Sequence, residues 1–251
     1  MHDSTITMNT PERNLMPLVD RTLPYDELVL VYPDAAHTAS NRAASDLAAD
    51  ATANATVASA TMNINCTATS SLPSIPLPDG YRWCAHPEQH RSQRSQLMVA
   101  CGFPYTANEA QSFWDVMETA DPAAFAANLF FILDADNNLA ATCGLWPGAH
   151  FDPARWRLHW VMCAPEHQGH GLAKAACLAA CEAHSQAAAA GTMPRPLYVV
   201  TEAQSWAAIR LYEKLGFVPY EGATCKASAE ENRAAWRQAR ELIKERYGFE
   251  V

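Results

Sequence analysis

Alternation and helical spacing of apolar positions divide the chain into recognisable elements. Residues 21–32, RTLPYDELVLVY, carry a Val, Leu, Val run after Pro24 that fits one β-strand. Further strands are expected at residues 81–85, 129–133 (LFFIL), 140–145, 157–163 (RLHWVMC) and 196–201, and helices over 88–99, 107–118, 169–189 and 205–215. Between the strands at 129–133 and 140–145, the run Asp134-Ala-Asp-Asn-Asn138 has the residues of a hairpin turn. The order is mixed α/β, with a βαβα unit in the second half. A last segment, SAEENRAAWRQARELIKERYGF, has Glu and Lys/Arg at i, i+4 spacing and reads as an amphipathic packing helix.

The pattern fails between Asp34 and Ser74. That Ala, Thr, Ser and Asn tract has few large apolar side chains to offset the entropy of ordering, and reads as a flexible insert. A Pro-rich hinge, SLPSIPLPDGY, follows it. The expected organisation is therefore an N-terminal extension over 1–75, a main domain over 76–225 and a C-terminal helix over 226–251.

With 49% hydrophobic and 18% charged residues, the 251-residue chain can bury a core. Its net charge of −9 argues against nucleic acid as a partner, where clustered Lys and Arg are needed. No apolar run is long enough to span a membrane, and the start MHDSTITMNTPERN lacks the order of a secretory signal, so a cytoplasmic location is expected. The sequons at Asn54 and Asn65 should then stay unmodified. The eight Cys include no Cys-x-x-Cys pair and read as small buried hydrophobes.

The most informative string is WRLHWVMCAPEHQGHGLAKAACLAACEAH, where a strand ends at Pro165 and a glycine turn opens into a helix. A helix N-terminus offers unpaired N–H groups and a positive dipole end, and Gly169 and Gly171 let backbone approach a phosphate closely. No Gly-Lys-Ser/Thr follows and the spacing is not that of a dinucleotide fingerprint, which sets aside nucleotide hydrolysis and hydride transfer. Downstream, Ser205-Trp-Ala-Ala-Ile-Arg-Leu-Tyr-Glu-Lys-Leu-Gly-Phe217 begins at a good N-cap residue, carries a stripe of Ala208, Leu211, Tyr212 and Leu215, and ends at a C-terminal Gly216.

Together these strings resemble the GNAT superfamily of acyl-CoA dependent N-acetyltransferases. Gln168-Gly-His-Gly-Leu-Ala173 is similar to its Gln/Arg-x-x-Gly-x-Gly/Ala signature, and Ser205 to Phe217 to its Asn-x-x-Ala-x-x-Leu-Tyr-x-Lys-x-Gly-Phe helix, with Ser205 in place of the usual Asn. The resemblance implies a mixed, mostly antiparallel twisted sheet flanked by helices, with a splay between two parallel strands that receives pantetheine. It implies acetyl-CoA as co-substrate, the pyrophosphate on amides of Gly169, His170, Gly171, Leu172, Ala173 and Lys174, the pantetheine along Val161, Met162 and Cys163, and contacts from Gln168, Ser205 and Tyr212. Tyr212 is the implied general acid for the departing thiolate, with a core aromatic as the alternative. A strand N–H near Cys163 would polarise the carbonyl.

The attacking amine must be neutral, so a base is needed. His159 stands where many relatives carry a Glu base, and strand alternation places His159, Val161 and Cys163 on one face and Leu158, Trp160 and Met162 on the other. A packed strand residue is the alternative role for His159, and Glu202 is the fallback base. Cys177, Cys181 and His184 share a helix face but lack a fourth ligand, and no metal is expected. His86-Pro-Glu-Gln-His90 departs from the zincin order and reads as a surface turn. The acceptor, a primary amine of a small molecule or peptide, should lie against residues 103–114 and 146–156, with Trp146, His150 and Trp156 as lining. A non-catalytic acyl-CoA sensor, a larger acyl cargo and a homodimer all remain open.

Overall fold

The computed structural model describes residues 19–33, 72–248 and 250–251. The sequons, Cys66 and nearly all of the Ala/Thr/Ser/Asn tract lie outside the described residues. In chain order the elements are β1 (Glu27–Val31), β2 (Arg82–Trp83), α1 (Arg91–Ala100), α2 (Ala107–Ala120), α3 (Pro122–Ala127), β3 (Leu129–Leu133), β4 (Leu139–Gly148), β5 (Arg155–Cys163), α4 (Leu172–Ala189), β6 (Tyr198–Glu202), α5 (Trp206–Lys214), β7 (Val218–Pro219) and α6 (Ala229–Tyr247). The expected elements are all present. The short α3 and β7 are additional, each too brief to show a period.

The strands form one seven-stranded mixed sheet in the order β2-β3-β4-β5-β6-β1-β7, and only β5 and β6 run parallel. This is the splayed, helix-flanked sheet of the GNAT fold. β1 is a central strand, antiparallel to β6 on one side and β7 on the other. The β3–β4 hairpin closes as its composition implied: Asp134 Oδ1 accepts from the N–H groups of Asp136 (2.9 Å) and Asn138 (2.8 Å), and Asn137 takes the left-handed conformation at φ 68°.

Helices cover both faces. On one face α4, α5 and α6 bury Cys177, Ile209, Tyr212 and Trp236 against Leu28, Leu30, Cys143 and Leu158. On the other, α1 to α3 bury Met98, Trp114 and Phe125 against Phe131 and Met162. Each such large side chain removed from water stabilises the fold by roughly 1.5–3 kcal/mol. The C-terminal segment is the packing helix its periodicity described: Trp236, Ala239 and Ile243 are buried, and Trp236 Nε1 donates to the Val29 carbonyl at 3.2 Å. The Pro-rich segment packs too, with Ile75 and Leu77 against the first core and the Ile75 carbonyl accepting from Trp83 Nε1 (2.9 Å).

Helix starts differ in a way that bears on the site. α2 opens with a capping box, Glu109 N–H donating to Thr106 Oγ1 (3.3 Å) and Thr106 N–H to Glu109 Oε2 (2.8 Å), and α6 opens with the same device from Ser228 and Glu231. α4, 18 residues long, has Gly171 at its N-cap and no side-chain cap.

Candidate active site

A cavity of about 820 Å³ opens where β5 and β6 part. The two strands pair only at Arg157–Tyr198 and Leu158–Val199, after which β6 keeps its partner β1 while β5 diverges. Beyond Leu158 the edge that β5 turns toward β6 has no ladder partner there, so its backbone groups are available to a molecule lying in the gap.

The divergence begins at a β-bulge. The β4–β5 register passes from Thr142–Met162 to Gly144–His159, and Trp160 takes φ 50°. Side-chain parity changes there: Leu158 packs in the first core and Trp160 in the second, while Val161 returns to the first. The alternation expected across residues 158–163 therefore does not hold. His159 lies on the side of Trp160, with ring centroids 4.3 Å apart, and not with Val161 and Cys163. It is absent from the cavity wall, and burial, aided by the Arg157 charge, pushes its imidazole well below the ordinary histidine value.

Ten of the twelve residues assigned to the cofactor do line the cavity: Val161, Met162, Cys163, Gln168, Gly169, Gly171, Leu172, Ala173, Lys174 and Ser205. Gly169 and Gly171 have φ of 82° and 78°, and a Cβ at either would meet nothing within 4 Å. The left-handed turn thus needs glycine for its backbone, while the space above it stays open. The uncapped first turn of α4 faces the same cavity, with the Ala173 N–H beside the Cys163 thiol. A chain of phosphates fits this cradle, since it is the kind of acceptor that the first-turn N–H groups lack from any side chain. Gln168 is braced by donating from Nε2 to the Cys163 carbonyl (3.4 Å), and burial pushes the Cys163 thiol up to about 12, which leaves it no nucleophile. His170 is exposed outside the wall.

Tyr212 is the other exception. It is 4% exposed and belongs to the core beneath the cavity, whose surface on α5 is made by Ala207, Ala208 and Leu211. Burial first, then the neighbouring Cys177, Cys143 and Glu202, raises its phenol well above the ordinary value. It stays protonated but has no surface on the cavity, because its ring turns inward with the buried side of α5. Glu202, at the end of β6, does line the cavity, and Ser205 Oγ donates to Glu202 Oε1 at 2.6 Å. Ser205 occupies the N-cap position of α5, but its hydroxyl serves Glu202 and not the helix.

Trp146, His150 and Trp156 do not line the cavity. Trp146 packs on Phe125, Trp156 is buried in the first core, and His150 is enclosed between Tyr198 Oη and Glu27 Oε2, 3.3 Å from each. Phe103 and Tyr105, from the other expected wall, do line it. So do Arg21, Tyr25 and Trp160, which local pattern did not single out: the first two arrive through a tertiary neighbour, and the third is turned in by the bulge. Cys177 and Cys181 are buried core residues, and His184 Nε2 lies 3.2 Å from the Pro194 carbonyl. Among the described residues no helix is long and apolar enough to cross a membrane.

No curated protein sequence matches the chain. Among solved structures it is similar to a GCN5-related N-acetyltransferase from Sphaerobacter thermophilus (19% identity, 61% of this chain and 46% of that one, TM-score 0.44). It is similar as well to an acetyltransferase from Trypanosoma brucei (18%, 57% and 94%, 0.38) and to a GNAT-family acetyltransferase from Colwellia psychrerythraea (14%, 80% and 55%, 0.44). The chain thus spans about half the length of the first and third of these proteins. Residues 96–217 match the family model described as Acetyltransferase (GNAT) family. That stretch holds α2 to α5 and the whole cofactor loop, so the segment that builds the cofactor side of the cavity is the one that matches the acetyltransferase (GNAT) family.

Proposed function

We propose that the protein transfers an acetyl group from acetyl-CoA to a primary amine. The observation that carries this is the meeting, in one cavity, of the glycine turn and uncapped α4 with the carboxylate of Glu202. Acetyl-CoA supplies an activated thioester. Gly169 to Lys174 would hold its pyrophosphate, and the unpaired edge of β5 from Val161 to Cys163 would align its pantetheine. Glu202, oriented by Ser205, is the base in this reading, in preference to His159, whose half-buried imidazole lies on the Trp160 side and off the cavity wall. Glu202 accepts the proton of the amine as the nitrogen–carbon bond forms, and that proton leaves with the sulfur as the carbon–sulfur bond breaks. Tyr212 keeps a smaller part: protonated and packed under Ala208 and Leu211, it fixes the floor of the slot, and delivering a proton would first require its ring to turn outward.

Calorimetric titration with acetyl-CoA, followed by assay of free thiol with an amine present, tests the reading. Micromolar binding and amine-dependent thiol release are expected. A chain that binds no acetyl-CoA overturns it.

A further inference from the structure

We propose that the acceptor is a small amine bearing both a carboxylate and an aromatic or large apolar group, the pattern of an aromatic α-amino acid, with Arg21 as partner of the carboxylate. This rests on the transfer activity proposed above. The cavity has a second set of walls, supplied by segments other than the cofactor loop, and they are rich in rings. Phe103 and Tyr105 lie stacked with centroids 6.3 Å apart, Trp160 meets Phe103 edge-on at 5.9 Å, and Tyr25 joins them from the segment before β1. Such walls take up an apolar side chain and select against a hydroxyl-rich sugar, whose polar groups would lose water without finding partners.

The charges narrow the class further. Among the described residues two cations and one carboxylate line the cavity: Lys174 in the first turn of α4, Arg21, and Glu202. Lys174 stands with the phosphate cradle. Arg21 stands with the rings, since a Cβ built on Gly102, next to Phe103, would be 3.5 Å from Arg21 Nη2. Among the described residues the Arg21 guanidinium has no ion-pair or hydrogen-bond partner. The neighbouring acid, Asp20, is committed elsewhere: its carboxylate accepts from Thr22 Oγ1 (2.6 Å) and Tyr247 Oη (2.7 Å) and pairs with Arg246 (3.3 Å). The segment itself is fixed to the end of β6 by Asp20 N–H to the Gln204 carbonyl and Gln204 Nε2 to the Leu23 carbonyl, both 2.8 Å. The anchored segment thus presents a solvent-exposed guanidinium, free of any ion-pair partner among the described residues, at the cavity that contains Glu202. A molecule with an amine for Glu202 and a carboxylate for Arg21 answers both, whereas a polyamine would bring like charge to Arg21 and Lys174.

The test measures kcat/KM from thiol release, using the full chain, acetyl-CoA and three probes. L-Phenylalanine has the amine, ring and carboxylate, 2-phenylethylamine lacks the carboxylate, and L-alanine lacks the ring. Phenylalanine should exceed each of the others by about tenfold or more, the size expected for a charge-assisted pair lost in 2-phenylethylamine and for a buried ring lost in alanine. Arg21→Gln should erase the margin over 2-phenylethylamine, chiefly through KM, and Arg21→Lys should restore part of it. The proposal is overturned if 2-phenylethylamine reacts as well as phenylalanine, if Arg21→Gln leaves the margin intact, or if a chain that binds acetyl-CoA acetylates none of the three. Failure to bind acetyl-CoA in the calorimeter instead marks failure of the transfer reading itself.

Discussion

Replacing Gly171 separates the cost to the fold from the cost to the cofactor. At φ 78° an L-residue pays for the left-handed conformation, about 1–2 kcal/mol, but its Cβ meets nothing within 4 Å and adds no clash. For a chain of this size that should lower Tm by roughly 2–8 °C. Binding should suffer far more in Gly171→Glu. A carboxylate about 5 Å from a phosphate, at an effective dielectric near 20, is repelled by about 3 kcal/mol per charge pair, a loss of more than about a hundredfold in Kd. Calorimetry and a thermal melt on the same samples read the two effects, with Gly171→Ala as the uncharged control. Added salt should recover part of the loss in the Glu variant and none in the Ala variant. If wild type binds acetyl-CoA and Gly171→Glu binds it within threefold as well, the pyrophosphate does not rest on this turn and the assignment is wrong.

Glu202→Gln should lower kcat/KM by about 10² to 10⁴ while acetyl-CoA binding persists, and a loss below tenfold would move the base elsewhere. Gly148→Ala should destabilise the protein by about 2 kcal/mol in a urea melt, because the new Cβ would overlap Tyr198 Oη and stand 2.8 Å from Arg157 Cδ in a closed interior; an unchanged midpoint would mean that this packing yields freely. His150 and His159 both have lowered pKa values, chiefly from burial, so the unfolded chain binds protons that the folded chain refuses. Their contribution to stability is full above about 6.5 and is lost as pH falls through that value. The urea midpoint should therefore drop between pH 7.5 and 5.5, and a midpoint that rises on acidification contradicts the assignment.

The features legible in sequence are those that local chemistry decides. LFFIL at 129–133 is a strand and Asp134 to Asn138 a turn because each depends on its own side chains and backbone, and Gly169 and Gly171 mark a turn whose backbone no side chain covers. Parity past Leu158 was not legible, since a bulge adds one residue to the count without any signature in RLHWVMC. The inward-turned Trp160 and the placement of His159 off the cavity wall follow from that one residue. Arg21 and Tyr25 were hidden for a different reason: their place in the cavity depends on Gln204 and Tyr247, at the far end of the chain, and no local pattern records such a neighbour. His150 and Trp156 look equally suited to a site or a core when only their type is known, and packing alone decided between them.

The central place of β1 also shapes the order in which the protein can be made. Leu30 leaves the ribosome long before Val199 and Pro219, its partners on either side, and Val29 waits for Trp236 to cap it. Until then, this apolar strand has two unsatisfied edges, while the β3–β4 hairpin can already close on itself. Completion of the sheet is thus deferred until residues 198–219 have emerged, and with it the cavity, since Arg21 and Tyr25 reach their wall only when β1 docks. The nascent chain is most prone to aggregate over this interval, and a chaperone that shields residues 27–31 would protect both the fold and the site.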